Sequence, residues 1–337
     1  MTETTTLPAS VVLNEMIMAQ VVSRLVHLAA TLKLADHLAD GPRSADELAS
    51  VTATHARSLH RVMRTMASLG LFTEDAEHRF SLRPLGEALR SSEPSYATAL
   101  ILGGELMTRS FDNLLHSVQT GEPGFDKSYD VPLFDWLATH PVEAALFSRT
   151  MVGFHGAEPA AVAAAYDFSG LGTIVDVGGA TGNLLATILA SHAGPRGILY
   201  DLPHVVAGAP PLLQQRGVED RITIEGGSFF ERVPSGGDAY ILSHVIHDWD
   251  EEKCQTILGH CRRAMKSDGR VLLVEMVLPA GDTPHPGKML DMVMLTIPGG
   301  QERTEAEYAE LFGKAGLRLT RVVPTASPVS VVEAVPL

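Results

Sequence analysis

The chain has 337 residues, 45% of them hydrophobic and 20% charged, which is long and apolar enough for two packed cores and excludes a disordered polypeptide. Its formal net charge of -14 would be repelled by a phosphate backbone and argues against a nucleic-acid partner. Two cysteines, Cys254 and Cys261, offer neither a disulfide framework nor a metal-ligand spacing, and such sparse use fits a reducing cytosol.

The first apolar run, residues 11–30, is interrupted by Asn14, Glu15, Gln20, Arg24 and His27. Those residues make it a costly bilayer span, and the Met1-Thr2-Glu3 start does not resemble a signal peptide. A helix this apolar around most of its surface is buried by something. Ser44-Ala45-Asp46-Glu47 is a capping box that opens a short helix. Residues 58–69 form a second, with Leu59, Val62, Met63 and Met66 at helical spacing. Residues 71–73 and 79–82, on either side of the polar turn 74–77, then make a small hairpin. Helix, helix, hairpin is a winged-helix arrangement and raises the possibility of a transcriptional regulator, with His60, Arg61 and Arg64 on the recognition helix. Residues 1–95 carry 9 Lys/Arg against 11 Asp/Glu, however, so this part is itself slightly acidic and argues against DNA binding.

Beyond a helical stretch that links the two halves, residues 174–177 form a β-branched strand. It runs into Gly178-Gly179-Ala180-Thr181-Gly182-Asn183 and a helix over 184–189. Strand, tight glycine turn and helix place a ligand where a Cβ would obstruct. A dinucleotide fingerprint needs glycine at the first, third and sixth positions, here Gly178, Ala180 and Asn183, and no P-loop Gly-Lys-Ser/Thr follows. The spacing that remains, Asp176-x-Gly178-x-x-x-Gly182, is similar to the first motif of S-adenosylmethionine-dependent methyltransferases. Residues 198–200 are a second strand ending in Asp201, a carboxylate suited to a ribose diol, or alternatively a cap for the helix after Pro203. Strands follow at 222–225, 238–243 and 270–275. The runs 317–323 and 329–334 are too close for a crossover helix and should pair antiparallel. The whole is an α/β doubly wound sheet with an antiparallel edge.

His247-Asp248-Trp249-Asp250-Glu251-Glu252-Lys253-Cys254, followed by Gly299-Gly300-Gln301-Glu302-Arg303-Thr304-Glu305, resembles the signature pair of the caffeate-type small-molecule O-methyltransferases. That family includes plant phenylpropanoid enzymes and bacterial enzymes that tailor antibiotics. The resemblance spans nearly the whole chain. It implies a Rossmann-like methyltransferase sheet with a terminal hairpin, preceded by a mainly helical, winged-helix-like dimerisation domain. The boundaries expected are 1–95 for dimerisation, 96–164 for a helical linker that contributes to the substrate pocket, and 165–337 for the S-adenosylmethionine-binding domain. It further implies a homodimer whose first helix crosses to the partner, and the sparse cysteines make the expected location cytoplasmic.

By the same resemblance, Gly178, Asp201, Ser228, Phe229, Ser243 and Trp249 hold S-adenosyl-L-methionine. His247 is the general base, and Glu275 and Glu302 flank it. Phe147, Met151, Phe154 and Met294 face an aromatic acceptor, although each could equally be a core residue at helical spacing. Ser228 departs from the family's usual Asp beside adenine, Ser243 stands where plant members have Lys, and Ala180 replaces a motif glycine. N- or C-methylation, or a non-methylating reaction, are the alternatives. His244 and His247, three apart with Asp248, Asp250 and Glu275 nearby, could also hold a metal, but none is expected. The other histidines read as surface or structural, and Arg303 as a partner for nearby carboxylates.

Overall fold

The structure, a computed structural model, describes residues 7–337. Helix Ala9–Thr31 begins the described chain, and only Ala29 and Ala30 of it are buried. By length and mean hydropathy it would pass for a membrane span, but Glu15 and Arg24 lie within it. Ser44 and Glu47 form the expected capping box at the start of Ala45–Thr52, and the next helix is Ala56–Ser68. Phe72–Glu74 and Arg79–Leu82 pair antiparallel, and Arg43–Ser44 adds a third short strand. Leu48, Leu59, Met63, Met66, Phe72 and Phe80 pack as one core, as the helical spacing requires.

The carboxyl-terminal sheet has seven strands: β1 (Thr173–Val177), β2 (Arg196–Asp201), β3 (Ile222–Gly226), β4 (Ala239–Ser243), β5 (Arg270–Glu275), β6 (Leu317–Pro324) and β7 (Ser330–Pro336). Their order is β6-β7-β5-β4-β1-β2-β3. The first five strands are parallel; β7 pairs antiparallel with β5 and β6 with β7, as the short connection demanded. Both faces are covered, because neighbouring residues along a strand point opposite ways. In β1, Ile174 belongs to the core under helix Asn183–Ser191, while Val175 and Val177 belong to the core under helices Glu251–Ala264 and Glu305–Lys314.

The chain divides into one compact unit that runs to Asp112 and resumes over Leu133–Phe154, and a second made of Asn113–Pro132 and His155–Leu337. The stretch read as a linker is therefore shared. Helices Leu114–Thr120 and Gly124–Tyr129 pack on Pro286–Thr296, and Glu158–Ala165 packs on Asn183–Ser191.

Candidate active site

The strand order reverses between β1 and β4, so the carboxyl ends of these strands open a crevice of the kind that binds ligands in doubly wound sheets. The glycine turn sits there. Gly178 (φ +72°) and Gly182 (φ +80°) adopt left-handed backbone, and a Cβ on Gly178 would come within 2.7 Å of Val245 Cγ2. Ala180 is also left-handed (φ +49°), a strained choice for a residue with a Cβ. At the tip of β2, Asp201 accepts hydrogen bonds from Ala180 N (2.9 Å) and from Leu202 N (2.6 Å), one on each oxygen. Leu202, not Asp201, is the N-cap of the helix that follows. Each oxygen keeps a lone pair, so the carboxylate is fixed by the turn and still able to accept from a diol, which fits the ribose of S-adenosylmethionine.

The Tyr200 hydroxyl donates to the carbonyls of Ser228 (3.2 Å) and Arg232 (2.9 Å) and holds the loop after β3. The Ser228 hydroxyl accepts from Phe230 N at 3.3 Å. Phe229, Phe230 and Trp249 form an aromatic cluster with Phe230 4.8 Å from each of the other two rings, and Lys253 Nζ stands 5.5 Å from the Trp249 ring. Ser243 is the last residue of β4.

His247 lies on the short turn Ile246–Asp248 and is 5% exposed. Its Nδ1 is 2.7 Å from Glu302 Oε1 and 3.5 Å from Glu275 Oε2. Glu275 ends β5, and its Oε1 accepts from the backbone N–H groups of Ile246 (3.1 Å) and His247 (3.3 Å). Glu302 reaches the ring because the Gly299-Gly300 turn comes against residues 247–248. A Cβ on Gly300 would collide with the His247 carbonyl, to which Gln301 N donates at 2.9 Å. His247, Glu275 and Glu302, three separate sequence signals, are thus brought together.

Burial pushes Glu302 up to about 7, and burial plus the charge of Glu302 pushes Glu275 well above the usual carboxylate range. Two buried carboxylates around one nitrogen cannot both stay ionised, so the pair holds a proton. Burial also lowers the pKa of His247, which keeps the ring neutral. With Nδ1–H committed to Glu302, the Nε2 lone pair is left to accept a proton, and Asp248 Oδ1 is 3.5 Å from it.

Beside this centre lies a cluster that the sequence reading missed. Glu158 Oε2 is 2.7 Å from His244 Nε2 and 3.0 Å from His155 Nδ1, and the two imidazoles stack with centroids 3.7 Å apart. Burial raises the pKa of Glu158, but the hydrogen bonds from the two histidines outweigh it and bring it to about 2. His155 is therefore not a solitary structural histidine. No local pattern could announce the contact, since 86 residues separate Glu158 from His244. Ligand atoms of His155, Glu158 and His244, and of His244, His247 and Glu275, lie within 4.8 Å of one another. Asp250 instead caps helix Glu251–Ala264 through Lys253 N. Arg303 donates to the carbonyls of Ile246 (3.3 Å) and Gln301 (3.2 Å), and its charge works against the rise of the Glu275 and Glu302 carboxyls.

Of the residues expected at the acceptor, Phe147 and Met151 are half-buried on helix Pro141–His155, and Met294 is buried in helix Pro286–Thr296. The side chain of Phe154 lies outside the described part of the structure.

Comparison with known proteins shows the family. A family model described as an O-methyltransferase domain matches residues 111–318, and one described as an O-methyltransferase dimerisation domain matches residues 14–92. The chain is 44% identical to the phenazine O-methyltransferase PhzM of Lysobacter antibioticus, over 98% of this chain and 97% of that one. It is 31% identical to an 8-amino-8-demethylriboflavin N,N-dimethyltransferase of Streptomyces davaonensis, over 93% and 91%. Among solved structures, an O-methyltransferase from neocarzinostatin biosynthesis, in complex with S-adenosylmethionine and 2-hydroxy-5-methyl naphthoic acid, superposes with a TM-score of 0.83. The two are 36% identical over 94% of this chain and 96% of that one.

Proposed function

The chain belongs to the S-adenosylmethionine-dependent O-methyltransferase family, and we propose that it methylates a phenolic hydroxyl of an aromatic small molecule in bacterial secondary metabolism, with His247 as general base. Bound S-adenosylmethionine supplies a methyl group on a sulfonium, an excellent leaving group. What falls to the protein is alignment of the acceptor oxygen and removal of its proton.

A phenol titrates at about 10 and imidazole at about 6.5, so complete proton transfer before attack would cost roughly 5 kcal/mol. Burial of His247 widens that gap. The base therefore acts as the new O–C bond forms, and the imidazolium that develops needs a carboxylate partner. The observation that carries this reading is the 2.7 Å contact of His247 Nδ1 with Glu302, which supplies the partner and leaves Nε2 free. A nitrogen acceptor has less need of a base, so this arrangement favours oxygen even though some relatives are N-methyltransferases.

Cofactor contacts are assigned to Gly178, Asp201, Ser228, Phe229, Ser243 and Trp249, and acceptor contacts to Phe147, Met151, Phe154 and Met294. The free, buried thiols of Cys254 and Cys261 support a cytoplasmic location. A homodimer formed through residues of the 14–92 match is part of the same proposal.

His247→Gln tests the base. Turnover should fall by about 10² to 10⁴ with cofactor affinity unchanged by calorimetry, and the deficit should shrink as pH approaches the acceptor's own pKa. A small, pH-independent effect would overturn the assignment in favour of nitrogen or carbon methylation.

A further inference from the structure

Three buried polar atoms around His247 have no hydrogen-bond partner among the described residues, Glu302 Oε2, His244 Nδ1 and Glu275 Oε2, and the last two form a pair. They face each other at 3.9 Å. Orphaned buried polar atoms are costly, and a facing pair of them requires an explanation. The protonation of their neighbours supplies one. Glu158 is ionised and accepts from His244 at Nε2, so Nε2 carries the ring proton of His244 and Nδ1 is a lone pair. A lone pair directed at a carboxyl oxygen is tolerable only if that oxygen bears a proton. Glu275 is the carboxyl of the His247 pair that burial and its neighbours' charges favour protonated. One proton on Glu275 Oε2, closing the gap by a small side-chain rotation, satisfies both orphans.

We propose that His244, anchored by Glu158, is a positioning residue that draws the Glu275 proton to itself and thereby keeps His247 in the tautomer that can act as a base. The inference rests on the assignment of His247 as that base. The alternative partner for the Glu275 hydroxyl is His247 Nδ1, 3.5 Å away. A hydroxyl donating there would compete with the bond to Glu302 and drive the imidazole proton to Nε2, the atom that must be empty to receive the acceptor's proton. The backbone of His244 supports a fixed role. It is left-handed (φ +53°), its N–H donates to the Val274 carbonyl at 3.1 Å, and His155 stacks on its ring while donating to the same Glu158 oxygen. The chain of contacts thus runs from Glu158 through His244 and Glu275 to His247, on to Glu302.

Two substitutions separate this role from packing. Asparagine puts its Oδ1 where Nδ1 stood and tolerates left-handed backbone, so His244→Asn keeps an acceptor for Glu275. His244→Gln keeps a donor towards Glu158 but no acceptor at the δ position. Turnover of His244→Gln should fall at least about tenfold below that of His244→Asn, with similar S-adenosylhomocysteine affinity in both. Nitrogen-15 spectra of histidine-labelled protein should show His247 as the Nδ1–H tautomer in the wild type and in His244→Asn, and shifted towards Nε2–H in His244→Gln. Equal turnover of the two variants, or an unchanged His247 tautomer in His244→Gln, overturns the proposal. The spectra do not depend on catalysis. If His247→Gln proves active, the base assignment fails, while the tautomer comparison still decides whether His244 controls the ring.

Discussion

Asp176, buried in β1 just before the glycine turn, shows how one residue limits the pH range of the fold. Burial, and then the charge of Asp201, pushes its carboxyl up to about 7 from an ordinary 3.8, and its Oδ2 has no partner. The folded chain keeps this proton to about pH 7 while the unfolded chain loses it near 4. Stability is therefore lost as pH climbs between those values, by up to about 4 kcal/mol. His244 acts in the opposite direction. Burial lowers it to about 4 from 6.5, so its contribution is present above the unfolded value and is lost as pH falls towards 4. Asp176→Asn should accordingly raise the melting temperature at pH 8 and give no gain at pH 4, as read by calorimetry across that range. An equal shift at both pH values would show that Asp176 is not held protonated. The residues legible in the sequence were those whose neighbours in the chain declare them, such as Asp201 after a strand and His247 within its motif. Glu158 and His155 were not, because their partner His244 is distant in sequence and their setting exists only once β4 is in place.

Among the elements, helix Ala9–Thr31 carries a specific consequence for assembly. Met16 is 70% exposed, and Leu13, Ile17 and Met18 are more than half exposed, although burying a large aliphatic side chain is worth roughly 1.5–3 kcal/mol. A second copy of the chain would cover them, consistent with the dimerisation match over residues 14–92. Ile17→Glu would place a charge in that interface and should shift the protein from dimer to monomer in sedimentation velocity, with the circular dichroism of the folded chain retained. A dimer of unchanged stability would remove this helix from the interface. The helix itself was legible as apolar on most sides, and the strands were legible as β-branched runs closed by turns. The capping box at Ser44 and Glu47 was also read in advance. The equivalent box at Thr304 and Glu307 was not, since Thr304 stands within the signature around Glu302 and Glu307 lies just beyond it. Short helices such as Gly124–Tyr129 left no trace, because six residues span too few turns to show a periodicity.

At the scale of the whole molecule, the chain crosses between its two units three times, at 112/113, 132/133 and 154/155. A boundary at residue 165 lies just before the first sheet strand in sequence, yet it would remove Val162 and Ala163 from the core under β1, together with Glu158. It would also strip the helices of 113–132 from Pro286–Thr296, where Pro123 meets Gly299 of the turn that carries Glu302. A sequence cannot display this, because hydrophobic spacing tells which face of a helix is buried and not which unit buries it. A fragment of residues 165–337 should therefore lack a cooperative melting transition. A fragment of residues 113–337, with 133–154 replaced by a flexible Gly/Ser segment of equal length, keeps every element of the second unit and every residue assigned to the cofactor. It should fold and bind S-adenosylhomocysteine within about tenfold of the intact protein, a loss of no more than about 1.4 kcal/mol. It should not transfer methyl, because Phe147 and Met151 are missing from the acceptor site proposed for them. Calorimetry and a turnover assay on the same preparation decide the matter. Failure to bind in a fragment that melts cooperatively would mean that the cofactor site draws on the first unit, and retained turnover would mean that Phe147 and Met151 do not face the acceptor.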